Sequence, residues 1–463
     1  MSRQPNIVVV ITDQQRTDTM ACYGNDWIKS PHQDALANRS FVFENCYVTQ
    51  AVCTPSRGSL ITGLYPHSHG CTVNGIALRE DTLSIAEMMP DNYKKGYVGK
   101  WHLGDDGNCQ HGFDEWCSIA NGCGYDQWLV ANGFKPDDGI SLTQTERPDK
   151  LPAEAQIGAY VGCESERFIR ENVDEPWLLV ASTFEPHPPY RGPYNDLYDP
   201  EEIPVGPTFL KHPEGTSLFN RVRSDFYRNT TDARVVASDM TKDENWRKLR
   251  AQYFANVKIV DDAVGQMVQA LEETGQMENT IFAFTSDHGE MAGDHRIWEK
   301  RCFYEESARV PFLLHVPWLT QEQKRVDGVF GQIDLVPTLL DLADVEVPDQ
   351  CEGESVAEAL TGDRDLKEHI AFMEWNGIGD RNLGNPDINL IATVPRRTVI
   401  TGDRWKLTLC AGDQGELFDL NTDPFEENNL YDDPEQQDRI RDMAAKIRVW
   451  QHETGDMVPL PQV

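Results

Sequence analysis

The chain lacks any apolar stretch that approaches the length of a membrane span, and it has no internal repeat or low-complexity tract. Basic residues are scarce, with 42 Lys and Arg against 76 Asp and Glu, so the formal net charge is −34. A chain this acidic repels a phosphate backbone, which argues against nucleic acid as a partner. The length of 463 residues is enough for a main domain and a smaller one.

The N-terminal residues also lack the apolar segment of a secretory signal, so we expect a cytoplasmic protein without membrane association. The eleven cysteines form no regular framework, and reduced or buried thiols are therefore expected. Three of them, Cys109, Cys117 and Cys123, cluster with His111 and raise a zinc site as an alternative. Their spacing does not match that of paired zinc knuckles.

Strand-like and helix-like segments alternate through the N-terminal part, which predicts a doubly wound α/β domain. Apolar residues at helical spacing predict a long helix over 243–273. Residues 105–160 and 191–245 are polar with little periodicity, so we expect irregular loops there, the first an insertion over the active site. From about residue 346 the pattern changes to four predicted strands and a final helix, at 370–375, 397–400, 405–409, 416–420 and 434–453.

Two predicted strands each end in side chains that can bind a metal ion. Residues 6–12 are followed by Asp13 and Gln14, and residues 281–286 are followed by Asp287. Open α/β sheets place their sites at the carboxyl ends of strands. We therefore expect one shared cation, and these hard oxygen ligands suit Ca²⁺, Mg²⁺ or Mn²⁺.

The segment Cys53-Thr54-Pro55-Ser56-Arg57 predicts a helix start, with Thr54 as the N-cap and Pro55 at the first helical position. Free N–H groups there would point at Cys53 and form a binding site for an anion such as sulfate. If helical geometry includes Cys53, Arg57 lies on the same face and reaches whatever replaces the thiol. The thiolate of Cys53 would be a poor ligand for a hard cation, whereas the oxygen of an aldehyde hydrate would be a good one. The expected cation therefore favours a residue at position 53 that has been converted from cysteine to an aldehyde.

With its continuation Gly58-Ser59-Leu60-Ile61-Thr62-Gly63, this segment resembles the signature of the type I sulfatases of the alkaline phosphatase superfamily. The resemblance implies that a maturase converts Cys53 to formylglycine (3-oxoalanine), whose hydrated aldehyde attacks sulfur. It implies an α/β fold with a large mixed β-sheet sandwiched by helices, and a smaller C-terminal α+β domain with a short antiparallel sheet and a terminal helix. The expected domains are 1–345 and 346–463.

The resemblance also implies a set of metal ligands. These positions are Asp13, Gln14, Cys53, Asp287 and His288. Many relatives have Asp-Asp where this chain has Asp-Gln, and Asn where it has His288. Ca²⁺ is the expected ion, with Mn²⁺ or Mg²⁺ as alternatives, and a histidine ligand also tolerates Zn²⁺.

Further catalytic positions are implied by three short elements of the sequence. Gly99-Lys100-Trp101-His102-Leu103-Gly104 resembles the Gly-Lys-x-His-x-Gly element of the family, in which Lys100 would contact the sulfate and His102 would hold or deprotonate the hydrate. His187 would protonate the leaving alkoxide, and Lys300 matches a second sulfate-binding lysine. Arg57 and the metal would favour ionisation of one hydrate hydroxyl.

The expected activity is therefore that of a sulfuric ester hydrolase acting on a small-molecule or oligosaccharide sulfate ester, by analogy a carbohydrate sulfate. A phosphonate monoester or phosphodiester hydrolase with the same nucleophile, and a protein that binds metal or anion but is never matured, are the alternatives. Aryl and alkyl sulfates and a homo-oligomeric state remain open. The residues that could line a sugar pocket are His67, His69, Asn74, Trp101, Tyr190, Trp375, Arg396 and Arg397.

Overall fold

The computed structural model describes residues 4–120, 122–135, 151–229, 239–379 and 386–463. Within these residues the strands form two sheets, one of nine strands and one of four. The nine strands of the large sheet are β1 (Asn6–Asp13), β2 (Phe41–Tyr47), β3 (Lys94–Gly99), β4 (Glu115–Ser118), β5 (Trp177–Pro186), β6 (Thr280–Ser286), β7 (Arg309–Val310), β8 (Phe312–His315) and β9 (Lys324–Gly331).

The large sheet is mixed. Its order is β4-β3-β5-β1-β6-β8-β2-β7, and β9 pairs with β2. The pairs β3–β4, β3–β5, β1–β5 and β1–β6 are parallel, whereas β8 is antiparallel to β6 and to β2. Five neighbouring strands therefore end on the same edge of the sheet, and this edge carries the candidate site.

Strand β1 separates two hydrophobic cores, because its side chains alternate between the faces of the sheet. Ile7, Val9 and Ile11 belong to one core, and Val8 and Val10 belong to the other. A strand buried on both faces reads as a continuous apolar run, which is why residues 6–12 predicted a buried parallel strand.

Helices cover both faces of the large sheet, as the sequence predicts. In chain order the helices are α1 (Pro31–Ala37), α2 (Cys53–Thr62), α3 (Pro66–His69), α4 (Ile85–Met88), α5 (Gly124–Ala131), α6 (Ile157–Glu171), α7 (Leu218–Arg228), α8 (Asp243–Glu273), α9 (Glu305–Ala308), α10 (Leu335–Leu342), α11 (Ala357–Thr361), α12 (Pro386–Ala392) and α13 (Gln437–Thr454). The long helix matches its predicted bounds, and its periodic apolar residues are buried: Leu249, Tyr253, Val257, Val260, Val264, Met267 and Leu271. No described helix combines the length and the apolar character that crossing a membrane requires.

The smaller sheet confirms the predicted C-terminal architecture. Its strands are β10 (Ala371–Trp375), β11 (Arg396–Ile400), β12 (Trp405–Cys410) and β13 (Glu416–Asp419), all antiparallel in sequential order. Helix α13 packs on it through Ile440, Met443, Ala444, Ile447 and Trp450. The domain boundary at residue 345 stays a prediction.

Three local predictions need correction. Part of 105–160 is regular, since β4 pairs with β3 and α5 follows it, while 136–150 lies outside the described residues. Part of 191–245 forms helix α7, and 230–238 is likewise outside the description. Helix α2 begins at Cys53 with Val52 as its N-cap, so Thr54 is not the cap and its hydroxyl instead donates to the carbonyl of His102.

Candidate active site

The candidate site lies where four adjacent parallel strands end. Asp13 closes β1, Lys100 follows β3, and His187 follows β5. Asp287 follows β6, directly beside Asp13. The order β3-β5-β1-β6 places these ends side by side, although they are up to 274 positions apart in sequence.

Helix α2 brings Cys53 against these strand ends. All ten residues of the helix are buried, and Cys53 is its first residue. The Cys53 Sγ lies 3.2 Å from His288 Nε2 and 3.8 Å from Asp13 Oδ1. Asn74 completes the helix start, since its Oδ1 accepts a 3.0 Å hydrogen bond from the Thr54 backbone N–H.

The residues around Cys53 are compatible with a cation. One ligand atom from each of Asp13, Cys53, Asp287 and His288 lies within 4.8 Å of the others, and all four residues are buried. Gln14 adds an amide oxygen on the same side, where its Oε1 accepts from Lys300 Nζ. Carboxylate, amide and imidazole donors fit a divalent cation such as Ca²⁺ or Mn²⁺, so the residues present fit the metal that the sequence predicts.

Arg57 bridges the two carboxylates at the strand ends. Its Nε donates to Asp287 Oδ2 at 2.8 Å, and its Nη2 lies 3.4 Å from Asp13 Oδ2. The remaining donor atom, Nη1, donates to the Lys100 carbonyl and to the Ser182 hydroxyl. The guanidinium therefore holds the two carboxylates in place, and its expected action on the residue at position 53 stays a prediction.

Two lysines add positive charge on the Cys53 side of the cluster. The ammonium of Lys100 pairs with Asp13 Oδ2 and lies 5.3 Å from the centroid of the Phe184 ring. The ammonium of Lys300 contacts Gln14. Both ammonium groups are almost fully buried, so their fields act at close range in a poorly solvated site.

These charges shift the pKa values of the cluster. Burial raises the pKa of the Cys53 thiol, but Lys100, Lys300 and His288 lower it more, to well below its ordinary range. Burial and the Cys53 charge raise the pKa of Asp13, yet its cationic neighbours hold it below its ordinary value. The site thus favours a negative charge on the side chain at position 53.

Two histidines complete the site. His102 has a left-handed backbone (φ 60°), its N–H donates to Asp106 Oδ1 at 2.8 Å, and its buried Nδ1 has no hydrogen-bond partner among the described residues. His187 Nδ1 lies 2.6 Å from the Pro188 carbonyl oxygen. Burial and the neighbouring Lys300 lower the pKa of His187 to about 4.

Several residues predicted to line a sugar pocket have partners inside the protein. Trp101 packs edge-on against Tyr97, and the Trp375 indole donates to the Ala392 carbonyl. Each of the others bonds within the fold or at the cluster: His69 to the Pro55 carbonyl, Tyr190 to Gln14 and Glu290, Arg396 to Asp413, and Arg397 to Asp456. We do not retain these six as substrate contacts. His67, which pairs with Glu374 at 2.7 Å, and Asn74 are only half-buried.

Two residues of the site were missed from the sequence. Ser182 lies inside β5, before its end at Pro186, and accepts from Arg57, so a search of strand ends does not find it. Glu290 is fully buried and bonds to Gln14. It lies in the quoted element Asp287-His288-Gly289-Glu290, but nothing in the sequence shows which way its carboxylate faces.

The predicted cysteine cluster does not form a zinc site in the described part of the chain. Cys109 Sγ donates to the Phe113 carbonyl and Cys117 Sγ to Glu164. The other metal-compatible groups among the described residues are His32 with Asp261 and Asp262, and His67 with Glu374 and Asp456. The zinc alternative is therefore dropped.

The fold and this site define an α/β protein with a buried cysteine at a helix N-terminus and paired carboxylates at parallel strand ends. Comparison with known proteins gives the family. The family model described as Sulfatase matches residues 5–345, and the model described as N-sulphoglucosamine sulphohydrolase, C-terminal, matches residues 293–453. The chain belongs to the sulfatase family and is a sulfuric ester hydrolase.

Similar proteins cover nearly the whole chain. The ulvan-active sulfatase of Formosa agariphila is 28% identical over 469 residues, covering 98% of this chain and 82% of the relative. The phosphonate monoester hydrolase of Silicibacter pomeroyi has a TM-score of 0.82 at 26% identity, covering 98% and 96% of the two chains. A solved structure of another protein, in complex with its substrate D-glucosamine-2-N,6-O-disulfate, has a TM-score of 0.80 at 22% identity. The match covers 99% of each chain and supports the fold.

Proposed function

We propose that this sulfatase cleaves a carbohydrate sulfate ester with a formylglycine made from Cys53 and a divalent cation held by Asp13, Gln14, Asp287 and His288. The observation that carries the proposal is the position of Cys53 at the start of α2, within 4.8 Å of three further metal-compatible groups. A thiol has little use among hard-cation ligands, whereas a hydrated aldehyde there presents oxygens to both the cation and the substrate.

The chemistry at the centre of the site comes from two groups. A formylglycine hydrate at position 53 supplies the oxygen nucleophile. A divalent cation held by Asp13, Gln14, Asp287 and His288, Ca²⁺ or by alternative Mn²⁺ or Mg²⁺, would supply Lewis-acid chemistry to the hydrate and the sulfate. Formation of the aldehyde requires a maturase acting on the segment from Cys53 to Arg57.

The chain itself positions and neutralises the reacting groups. Arg57 holds Asp13 and Asp287 at the strand ends, so the cation ligands are arranged before substrate binds. Lys100 and Lys300 place two ammonium groups beside position 53, where they offset the charge on the sulfate oxygens. Together with a bound cation, these ammonium groups would make the site locally positive within a chain of net charge −34, which would attract the anionic ester.

We assign the proton transfers to His102, His187 and Lys300. The His102 side chain hydrogen-bonds to Cys53, so it can hold or remove a hydroxyl proton at position 53. His187 and Lys300 are the two candidates for giving a proton to the departing alcohol oxygen, since both act on Cys53 or its neighbours electrostatically. Asn74, which accepts from the Thr54 N–H beside position 53, is the residue we propose to contact the alcohol portion of the ester.

The carbohydrate substrate is supported by the relatives. The matched sulfatase of Formosa agariphila acts on ulvan, and a structural neighbour holds a sulfated glucosamine. The phosphonate monoester hydrolase of the same fold makes phosphonate esters the second candidate. A panel of sulfated sugars, aryl sulfates and phosphonate monoesters separates the two.

The test is maturation followed by turnover. Protein made beside a formylglycine-generating maturase is digested with trypsin, and fragmentation of the peptide Ser40–Arg57 locates the aldehyde; Cys46 in the same peptide is the internal control. We expect aldehyde at position 53 and hydrolysis of a sulfated sugar, lost in Cys53→Ala and retained in Cys109→Ala, which changes an exposed thiol. An unmodified Cys53 in an active protein would contradict the mechanism.

A further inference from the structure

We infer that Glu290 and Tyr190 are positioning residues that orient the side-chain amide of Gln14, so that its oxygen and not its nitrogen faces the cation site. The inference rests on the proposed function and adds a requirement specific to an amide ligand. A carboxylate at this position would present oxygen in either orientation, whereas an amide must be turned the right way.

The backbone of Gln14 is fixed independently of its side chain. Its N–H donates to Asp287 Oδ1 at 3.1 Å, and its carbonyl accepts from the Tyr253 hydroxyl at 2.8 Å. The residue has φ of 76°, a left-handed conformation that these contacts hold in place. The remaining freedom is rotation of the amide, whose two ends have nearly the same shape.

Glu290 determines which way the Gln14 amide is rotated. Its Oε2 accepts from Gln14 Nε2, and its Oε1 accepts from the backbone N–H groups of Ala292 at 2.8 Å and Glu299 at 2.6 Å. The carboxylate is fully buried and can only accept, so it selects the nitrogen end of Gln14. The amide oxygen is then left to face the ammonium of Lys300, whose charge acts on Cys53 in the candidate cation site.

Tyr190 supports the same arrangement. Its hydroxyl donates to Glu290 Oε2 and accepts from Gln14 Nε2 at 3.0 Å. Both hydrogens of the Gln14 amide therefore have acceptors on the side away from the cation site. Partners of this kind behind a metal ligand typically change metal affinity by about 10–100-fold when mutated.

The test first replaces the acceptor that Glu290 offers to Gln14 with a donor, and then replaces Gln14 with a residue that can accept from this donor. In Glu290→Gln, the two backbone N–H groups require the oxygen of the introduced amide, so its NH₂ faces Gln14. The Gln14 amide then turns its oxygen away from the cation site. Adding Gln14→Glu supplies a carboxylate that can accept from this NH₂ and still offer oxygen to the cation, and the double variant keeps the summed charge of the pair.

The measurement is calorimetric titration of chelator-treated, matured protein with CaCl₂, repeated with MnCl₂. We expect Glu290→Gln to weaken binding at least about tenfold and the double variant to recover to within about threefold of the wild type. Tyr190→Phe removes one acceptor of the Gln14 amide but leaves Glu290, so we expect it to weaken binding less than Glu290→Gln does. The control is Glu416→Gln, which neutralises another buried carboxylate and is expected to bind like the wild type.

Unchanged affinity in Glu290→Gln, or no recovery in the double variant, would overturn the inference. The proposed function would still stand if the wild type binds the cation and hydrolyses a sulfate ester. A matured wild type that binds neither cation would overturn the proposed metal centre and this inference together. Since that second failure is seen in the wild type alone, the two are distinguishable.

Discussion

Arg57 Nε donates to Asp287 Oδ2 at 2.8 Å, joining the first turns of α2 to the end of β6 across 230 positions of sequence. Both side chains are fully buried. This contact links helix α2 to the strand that precedes Asp287 and His288, so one guanidinium joins two parts of the candidate site.

Replacing Arg57 by lysine should therefore harm both stability and activity. A lysine keeps the charge but cannot contact Asp287, Asp13, the Lys100 carbonyl and Ser182 together. We expect urea unfolding to show a loss of about 3 kcal/mol, in the range found when one partner of a buried ion pair is removed.

The matched control is Arg39→Lys, in a partly exposed pair with Glu272. It should change the free energy of unfolding by less than about 0.5 kcal/mol. Equal losses of unfolding free energy in the two variants would show that the buried contacts of Arg57 stabilise the protein no more than a partly exposed ion pair does.

Cation binding should raise the thermal stability of the protein. A cation present at about 100 times its Kd stabilises the folded state by about 2.7 kcal/mol. We expect Tm to rise when CaCl₂ is added to chelator-treated protein and this rise to vanish in Asp287→Asn. Asp262→Asn, which alters the other acidic group near His32, should keep the full rise; its loss there would place the cation at that second group.

Arg223 should affect catalysis through Lys300. Its guanidinium donates to the backbone carbonyls of Lys300 and Arg301 and stacks on Phe219. Arg223→Lys removes the paired donation, so we expect kcat/KM to fall about tenfold because Lys300 is less well placed. Arg228→Lys, at the end of the same helix, is the control and should leave kcat/KM unchanged. A fall in both variants would indicate damage to the whole helix instead.

Stability should decrease at alkaline pH because of His369. Burial lowers its pKa, but the hydrogen bond to Asp334 at 2.8 Å and the nearby Glu354 raise it more, to about 9. Its ordinary value is near 6.5, so protonation stabilises the folded state fully below about pH 6.5. This contribution, at most about 3 kcal/mol, declines above that and is lost as pH rises through about 9.

Urea unfolding of the wild type and His369→Gln at several pH values tests this directly. The stability difference between them should be largest near pH 6 and shrink toward pH 10. His452→Gln, on an exposed histidine of α13, should show no such trend. A difference that is constant with pH would exclude His369 as the source.

Much of the fold was predictable because its signals are local. The run from 6 to 12 is apolar on both strand faces, and the α8 residues repeat at helical spacing, so each pattern reports burial directly. Strand β4 and helix α5 were missed because each is short and the residues around them, such as 105–114 and 132–139, are rich in Gly, Asp and Asn. Their regularity comes from packing against β3 and α6, which periodicity cannot show.

By itself, the sequence predicted the reaction class, which the family comparison confirms, and the main site positions, which stay predictions. The Cys53 motif and the polar residues after β1 and β6 are local signals, and parallel strands must bring their carboxyl ends to one edge. Only the tertiary structure decided what each side chain faces. Arg57 turned to the carboxylates, Tyr190 to Gln14, and Arg397 to Asp456. These choices depend on partners distant in sequence and on burial that penalises any unpaired polar group.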